Sequence, residues 1–195
     1  MEKIRLGVNI DHIATLRNAR NEGYPNILDV TKILKKVKVD IITIHLREDR
    51  RHIKDHDLKI ISHDKKIPIN LEMAANNTML KIAIKYKPKF VCIVPEKRKE
   101  ITTEGGLNII KNFKKLKKII FKFKKAKIRT SLFINPSLND IKLCRSLGVD
   151  CVEIHTGKLS NNVKLKQKHT KELQRIKNSS KLANSLAIEV HAGHG

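Results

Sequence analysis

Apolar, β-rich runs recur along the 195-residue chain at 4–9, 39–46, 67–73, 89–95, 128–134, 149–154 and 186–191, separated by segments mostly of helical length and pattern. Short apolar runs alternating with helices predict βα units joined in a parallel sheet. The segment 105–127 shows the helical half of the pattern best. Ile109, Phe113, Leu116, Ile120 and Phe123 recur at spacings of three and four, and Lys111, Lys114, Lys115, Lys118, Lys122 and Lys125 fall mostly on other faces. That arrangement predicts an outer helix with one buried stripe and a solvated lysine face. The alternation carries no repeated sequence motif and no low-complexity linker, so one domain spanning 1–195 is expected.

Almost every apolar run ends in charged or hydrogen-bonding residues. The first, taken as a strand carrying Ile4, Leu6 and Val8, delivers Asn9, Asp11 and His12, with Arg17 and Arg20 following; the second ends in His45, Arg47, Glu48 and Asp49. The third carries Asn70 and Glu72, the fourth Glu96, Lys97 and Arg98, the sixth Glu153, His155 and Thr156, and the seventh His191 and His194. A (β/α)₈ TIM barrel opens all its strand C-termini on one face, where residues distant in sequence assemble a site. A doubly wound sheet gathers its site at a switch point and would leave several of these polar ends unused. The barrel is therefore the expected fold.

Each cluster admits a functional and a structural reading. Asn9, Asp11 and His12 beside arginines suit a small anionic ligand, because burying such groups unpaired is costly; they equally suit a polar strand end that caps the next helix. In 45–52, Arg47 offers a planar fork for a phosphate or carboxylate and His45 exchanges protons near neutrality; the alternative is an exposed loop whose arginines are neutralised by Glu48 and Asp49. Glu72 follows Ile69 and Leu71, as a carboxylate raised in pKa for acid/base work or as a buried partner of an arginine. Glu153 alternates with Val152 and Ile154 and faces the other way from them; His155 is expected to point away from Glu153, as a packing residue or one that supports site residues from behind. Thr102 or Thr103 in TTEGG binds an oxyanion or caps the lysine-rich helix. Glycines flank His194, which makes it a candidate proton donor or an incidental turn residue.

Charge changes this picture less than its size suggests. The net charge is +23, but only 10 of the 42 basic residues are arginines and the lysines spread over most of the chain. Codon bias in an A/T-rich genome accounts for that pattern, and with 4% aromatics and no recognisable binding motif a nucleic-acid partner is not expected. Cys92, Cys144 and Cys151 form no CxxC pair, which fits reduced thiols in a cytoplasmic protein, and Cys92 and Cys151 sit in apolar runs as small core residues. No stretch is long and apolar enough to predict a membrane span.

The motifs GVNIDHIATLRNAR, HLREDRRHI, NLEMA, VPEKR followed by TTEGGL, SLFI, EIHTG and AGHG, in this order, resemble the pyridoxine 5′-phosphate synthase family of vitamin B6 biosynthesis. The resemblance implies a (β/α)₈ barrel that condenses 1-deoxy-D-xylulose 5-phosphate with 3-amino-2-oxopropyl phosphate, without organic cofactor or metal, in a homo-oligomer that is typically an octamer. It implies that Asn9, Arg20 and the backbone of Gly195 contact the aminoketone phosphate, and that Asp11, His12, Arg47, His52 and Thr102 contact the deoxyxylulose phosphate. His45 and Glu72 match the family's proton acceptors, His194 its proton donor and Glu153 a residue that stabilises the transition state.

The chain departs from the family at its end. It stops just after the seventh strand, lacking the eighth strand, whose Gly-His pair helps hold the second phosphate, and the final helices. An unclosed barrel leaves two sheet edges and part of its apolar interior exposed, so this polypeptide by itself is expected to be poorly stable or inactive, as a truncated reading frame, a fragment or a chain whose remainder is missing. Turnover of both substrates at a normal family rate would overturn that expectation. A non-catalytic remnant of the enzyme is thus the main alternative. A metal-dependent barrel hydrolase using Asp11, His12, His45, Glu72, His191 and His194 is a further one, opposed by the nearby arginines and by the lack of alternating histidines on the first strand.

Overall fold

The seven apolar runs become seven strands, in a computed structural model that describes residues 4–64, 68–96 and 105–195. The strands are β1 (Gly7–Asn9), β2 (Ile41–His45), β3 (Ile69–Ala74), β4 (Phe90–Val94), β5 (Arg129–Ile134), β6 (Cys151–His155) and β7 (Glu189–Gly193), and their order follows the chain. Between them lie α1 (Asp11–Arg20), α2 (Ile27–Lys36), α3 (Asp55–His63), α4 (Asn77–Tyr86), α5 (Ile109–Lys125), α6 (Leu138–Leu147), α7 (Gly157–Lys164) and α8 (Thr170–Ser185). This is the α/β architecture of the TIM-barrel class. The chain divides into two compact units, Met1–Val91 and Cys92–Gly195, with β4 carrying it from one to the other.

In the first unit β1, β2 and β3 pair in parallel, with Asn9 opposite Thr43 and His45 opposite Glu72. Ile42, Ile44, Leu71 and Met73, which share one face of the sheet, are fully enclosed. The expected first strand is shorter than its apolar run. Ile4 and Leu6 lie outside β1 and are 93% and 60% exposed, because β1 ends the strand order and has a neighbouring strand on one side only.

In the second unit β5, β6 and β7 pair in parallel, with Glu153 opposite His191 and His155 opposite Gly193. Helix α5 covers them much as its spacing predicts. Ile109, Leu116, Ile119, Ile120 and Phe123 are buried, Phe113 is half-buried, and all six lysines of the expected polar face are exposed.

Polar side chains define several helix starts. Asn26, Asn76, Asn108 and Ser137 accept hydrogen bonds from Leu28 N, Met79 N, Lys111 N and Asp140 N, each such cap contributing about 0.5–2 kcal/mol. The cap of α5 is therefore Asn108, and capping by Thr102 or Thr103 is overturned, since the helix begins several residues after them.

Gly106 approaches β5 closely, its N–H donating to Asn135 Oδ1 at 3.0 Å while Leu107 N donates to Phe133 O at 2.8 Å. A Cβ there would lie 2.1 Å from Asn135 N and 2.5 Å from Ile134 C, both backbone atoms that have little room to yield. Gly106→Ala is expected to cost about 1–3 kcal/mol or more. Differential scanning calorimetry should show a lower Tm than for Gly23→Ala, where a Cβ meets nothing within 4 Å.

Candidate active site

The first unit brings three strand ends together. Asn9, at the end of β1, takes the Asp11 N–H on its Oδ1 and donates from Nδ2 to Asp11 Oδ2, both at 2.8 Å. Asn9 thus closes a short turn at the start of α1, whose cap position is Ile10 with no side-chain cap bond, and it steers the Asp11 carboxylate across the sheet. There Asp11 Oδ1 accepts the His45 backbone N–H at 2.8 Å in a buried bond. His45 ends β2 beside Glu72 of β3, with its Nδ1 3.8 Å from Glu72 Oε2. His45 is buried and Glu72 half-buried, so an imidazole and a carboxylate share a largely dry position.

The segment after β2 completes this cluster. His52 lies with its ring 5.8 Å from that of His45 and its Nδ1 3.9 Å from Asp11 Oδ1. Burial pushes the His52 imidazole below its ordinary value, and the Asp11 charge pulls the other way. The two readings of this loop divide between its residues. Arg51 does pair with Asp49 at 2.6 Å near the surface, whereas Arg47 is only 2% exposed, with its Nε 3.6 Å from Asp49 Oδ1. The Arg51 hydrogen bond holds the Asp49 carboxyl below the usual range. His12 is exposed on the first turn of α1.

Two arginines of α1 have different fates. Arg20 sits in the last turn, at the far end from Asp11, and pairs with Glu22 at 2.9 Å in solvent. Arg17 turns onto Asp57 of α3 through two hydrogen bonds of 2.6 and 2.9 Å, and Arg17 and Asn18 both donate to the His52 carbonyl. A clamp of α1 on the His52 loop is thus the role of Arg17. Sequence spacing could not show it, because the partners are 40 residues apart.

In the second unit the polar ends of β6 and β7 meet. Glu153 Oε2 receives the Cys92 thiol at 3.6 Å, and its neighbour in register is His191. Burial raises the Glu153 carboxyl, opposed by the charge of His191 and by the Cys92 bond. His191 Nε2 lies 2.8 Å from Glu189 Oε1, and Arg129 donates to Glu189 Oε2 at 2.6 Å. Gly193 leaves room for this carboxylate, since a Cβ there would lie 2.5 Å from Glu153 Oε1. The three cysteines are buried, and burial pushes the Cys144 thiol up to about 12.

His155 corrects the expectation that it points away from Glu153. Residues two apart on a strand share a face, and the rings of His155 and His194 lie 4.8 Å apart, both against Phe133. His194 is exposed and takes φ +73°, with Thr156 Oγ1 donating to the carbonyls of Gly193 at 2.8 Å or His194 at 2.7 Å. Gly195, at φ +127°, packs so closely on Ser160 that a Cβ would lie 2.4 Å from that residue's Cβ. Thr102 lies outside the described residues.

Among the described residues, two triads place one possible metal donor each within 4.8 Å of the others: Asp11, His45 and His52, and Cys151, Glu189 and His191. Each also has a guanidinium at hand. The charge of Arg47 acts on His52, and Arg129 is bonded to Glu189 and acts on Cys151, so positive charge is already supplied where a cation would sit.

The model of the pyridoxal phosphate biosynthesis protein PdxJ family matches residues 6–195. The pyridoxine 5′-phosphate synthase of Pelagibacter ubique is 56% identical over 191 residues, covering 98% of this chain and 80% of that protein. That of Bdellovibrio bacteriovorus is 49% identical, covering 99% and 80%. Among solved structures, 3-keto-L-gulonate-6-phosphate decarboxylase from Vibrio cholerae superposes with a TM-score of 0.65 at 11% identity, over 97% of this chain and 78% of that one, a likeness of fold. A chain matched over nearly its whole length, with strand ends that gather an imidazole, carboxylates and a buried arginine, belongs to the PdxJ family of pyridoxal phosphate biosynthesis enzymes.

Proposed function

We propose that this chain acts as a pyridoxine 5′-phosphate synthase, condensing 1-deoxy-D-xylulose 5-phosphate with 3-amino-2-oxopropyl phosphate to pyridoxine 5′-phosphate, phosphate and water. The observation that carries the reading is His45 beside Glu72 on adjacent strands, with the Asp11 carboxylate bonded to the His45 backbone N–H and Arg47 buried two residues further on. Addition of an amine to a ketone, dehydration and ring closure each need a proton moved. Side chains positioned to take and return protons can act in turn as base and acid. His45 and Glu72 accept protons, His194 donates one, and Glu153 stabilises charge that develops in the transition state.

Arg47, His52, Asp11, His12 and Thr102 hold the deoxyxylulose phosphate, and Asn9, Arg20 and the Gly195 backbone hold the aminoketone phosphate. A planar guanidinium suits a phosphate because two of its N–H groups meet two oxygens at once. No helix of the described residues is long and apolar enough to cross a membrane, and we place the protein in the cytoplasm, as a homo-oligomer of octamer type without organic cofactor.

The test is direct. Purified protein is given both substrates, and pyridoxine 5′-phosphate and released phosphate are measured with and without a chelator. Both products in equal amounts, unaffected by the chelator, support the proposal; neither product forming overturns it and leaves the non-catalytic remnant. A second reading, a metal-dependent hydrolase, draws on the Asp11, His45 and His52 triad. It requires stoichiometric zinc or manganese on elemental analysis and hydrolysis that stops when the chelator is added.

A further inference from the structure

Helix α7 starts at Gly157, immediately after the end of β6, and two imidazoles crowd its first residue. A Cβ on Gly157 would lie 2.8 Å from His155 Nε2 and 3.1 Å from His194 Nδ1. Both nitrogens therefore face one small space that only a glycine leaves open. Phe133 of β5 backs the two rings, with its centroid 5.3 Å from His155 in an edge-on contact and 6.1 Å from His194. Thr156 holds the backbone beneath, its N–H and hydroxyl both directed at the Gly193 carbonyl. The Thr156 hydroxyl also reaches the His194 carbonyl at 2.7 Å, which ties the His194 backbone to the residue that follows β6.

We propose that His155 is a positioning residue for His194: the two rings form one unit that orients His194 and takes up a first proton well before it admits a second. The inference rests on the reading of His194 as the proton donor. Two imidazoles 4.8 Å apart repel when both are charged, and such groups titrate as a pair. The start of α7 adds to this, because the positive end of a helix disfavours a cation in its first turn. Burial and the charge of His194 both push His155 below its ordinary value, and Glu172 pulls it up. The other ionisable groups nearby are Glu153 and His191, two register pairs lower on β6 and β7, and Lys158 and Arg175, which occupy the Glu172 carboxylate at 3.7 and 2.8 Å. Glu172 is therefore shared with two other cations, and its pull on His155 offsets only part of the push from burial and from His194.

The experiment is an NMR titration of the imidazole nitrogens in ¹⁵N-labelled protein, with His155→Phe as the main variant because it keeps a ring in place and removes the titration. In the parent protein the His194 signal should shift in two steps as pH falls, the second coinciding with protonation of His155. In His155→Phe only the first step should remain. A single His194 step, unchanged by His155→Phe, overturns the proposal. Activity supplies a second readout: His155→Ala should lower kcat about tenfold, a fraction of what a general acid contributes, with KM unchanged and with His155→Phe restoring most of the loss. Unchanged kcat in His155→Ala also overturns the positioning role. If His155→Ala fails to fold, the titration of His155→Phe decides alone. Full activity of His194→Asn would instead end the reading of His194 as donor, while the two-step titration would still be seen in the parent protein.

Discussion

The Glu72→Gln protein is expected to lose about 10²- to 10⁴-fold in kcat, the range that a positioned acid/base group contributes, while its thermal transition stays close to that of the parent. Glutamine keeps the size and the hydrogen-bonding carbonyl of the side chain, so the half-buried end of β3 can remain packed. What disappears is the ability to take a proton 3.8 Å from His45 Nδ1. An interaction that matters only in the reaction lowers kcat and kcat/KM together and leaves KM alone. Steady-state rates with both substrates provide the measurement. Parent-level kcat in Glu72→Gln would remove Glu72 from the chemistry and leave it as a structural neighbour of His45.

The second large effect concerns stability. Asp57 is nearly enclosed, and it receives Arg17 at 2.6 and 2.9 Å and the Lys54 N–H at 2.9 Å. Asp57→Ala would leave the Arg17 guanidinium in a position only 15% exposed, without its carboxylate. Removing one partner of a buried pair costs about 3–5 kcal/mol, while replacing both by apolar groups of similar size is often neutral. Urea unfolding should therefore show a large loss for Asp57→Ala and a much smaller one for Arg17→Met combined with Asp57→Leu. A double variant as unstable as Asp57→Ala would show that packing of α1 on α3, rather than the stranded charge, sets the cost. Because Arg17 and Asn18 also hold the His52 carbonyl, activity should fall in Asp57→Ala even at temperatures where it stays folded.

These two predictions draw on different depths of the sequence. Glu72 was legible because a lone carboxylate in the run Ile69–Ala74 interrupts an otherwise buried strand, and parallel register sets it beside His45 at the end of β2. Asp57 carried no such signal. It looks like one of several acidic residues in the first turn of α3, and only the fold places it against Arg17. The charged loop 46–53 was ambiguous for the same reason: the segment contains Arg47, Arg50 and Arg51, and nothing local says that Arg47 turns inward while Arg51 pairs with Asp49. His155 was misread although the signal was present, since alternation along β6 assigns it to the face of Glu153. The α5 cap was misplaced because an asparagine just before the apolar stripe is as good a cap as a threonine, and Asn108 is the closer.

By itself the sequence determined the seven strands, the amphipathic stripe of α5 and the polar strand ends, because each follows from side chains within a few residues of one another: apolar runs must be covered, and a period of three to four must form one helical face. Its ordered motifs also carried the family. Only the tertiary structure decided that Asp11 accepts the His45 N–H, that Arg17 serves Asp57 and the His52 loop, that Glu153 lies against Cys92, and that His155 and His194 share one small space beside Gly157. Those contacts join residues 34 to 61 positions apart, and a hydrogen bond or ion pair depends on distances of a few ångströms that strand register and helix packing set.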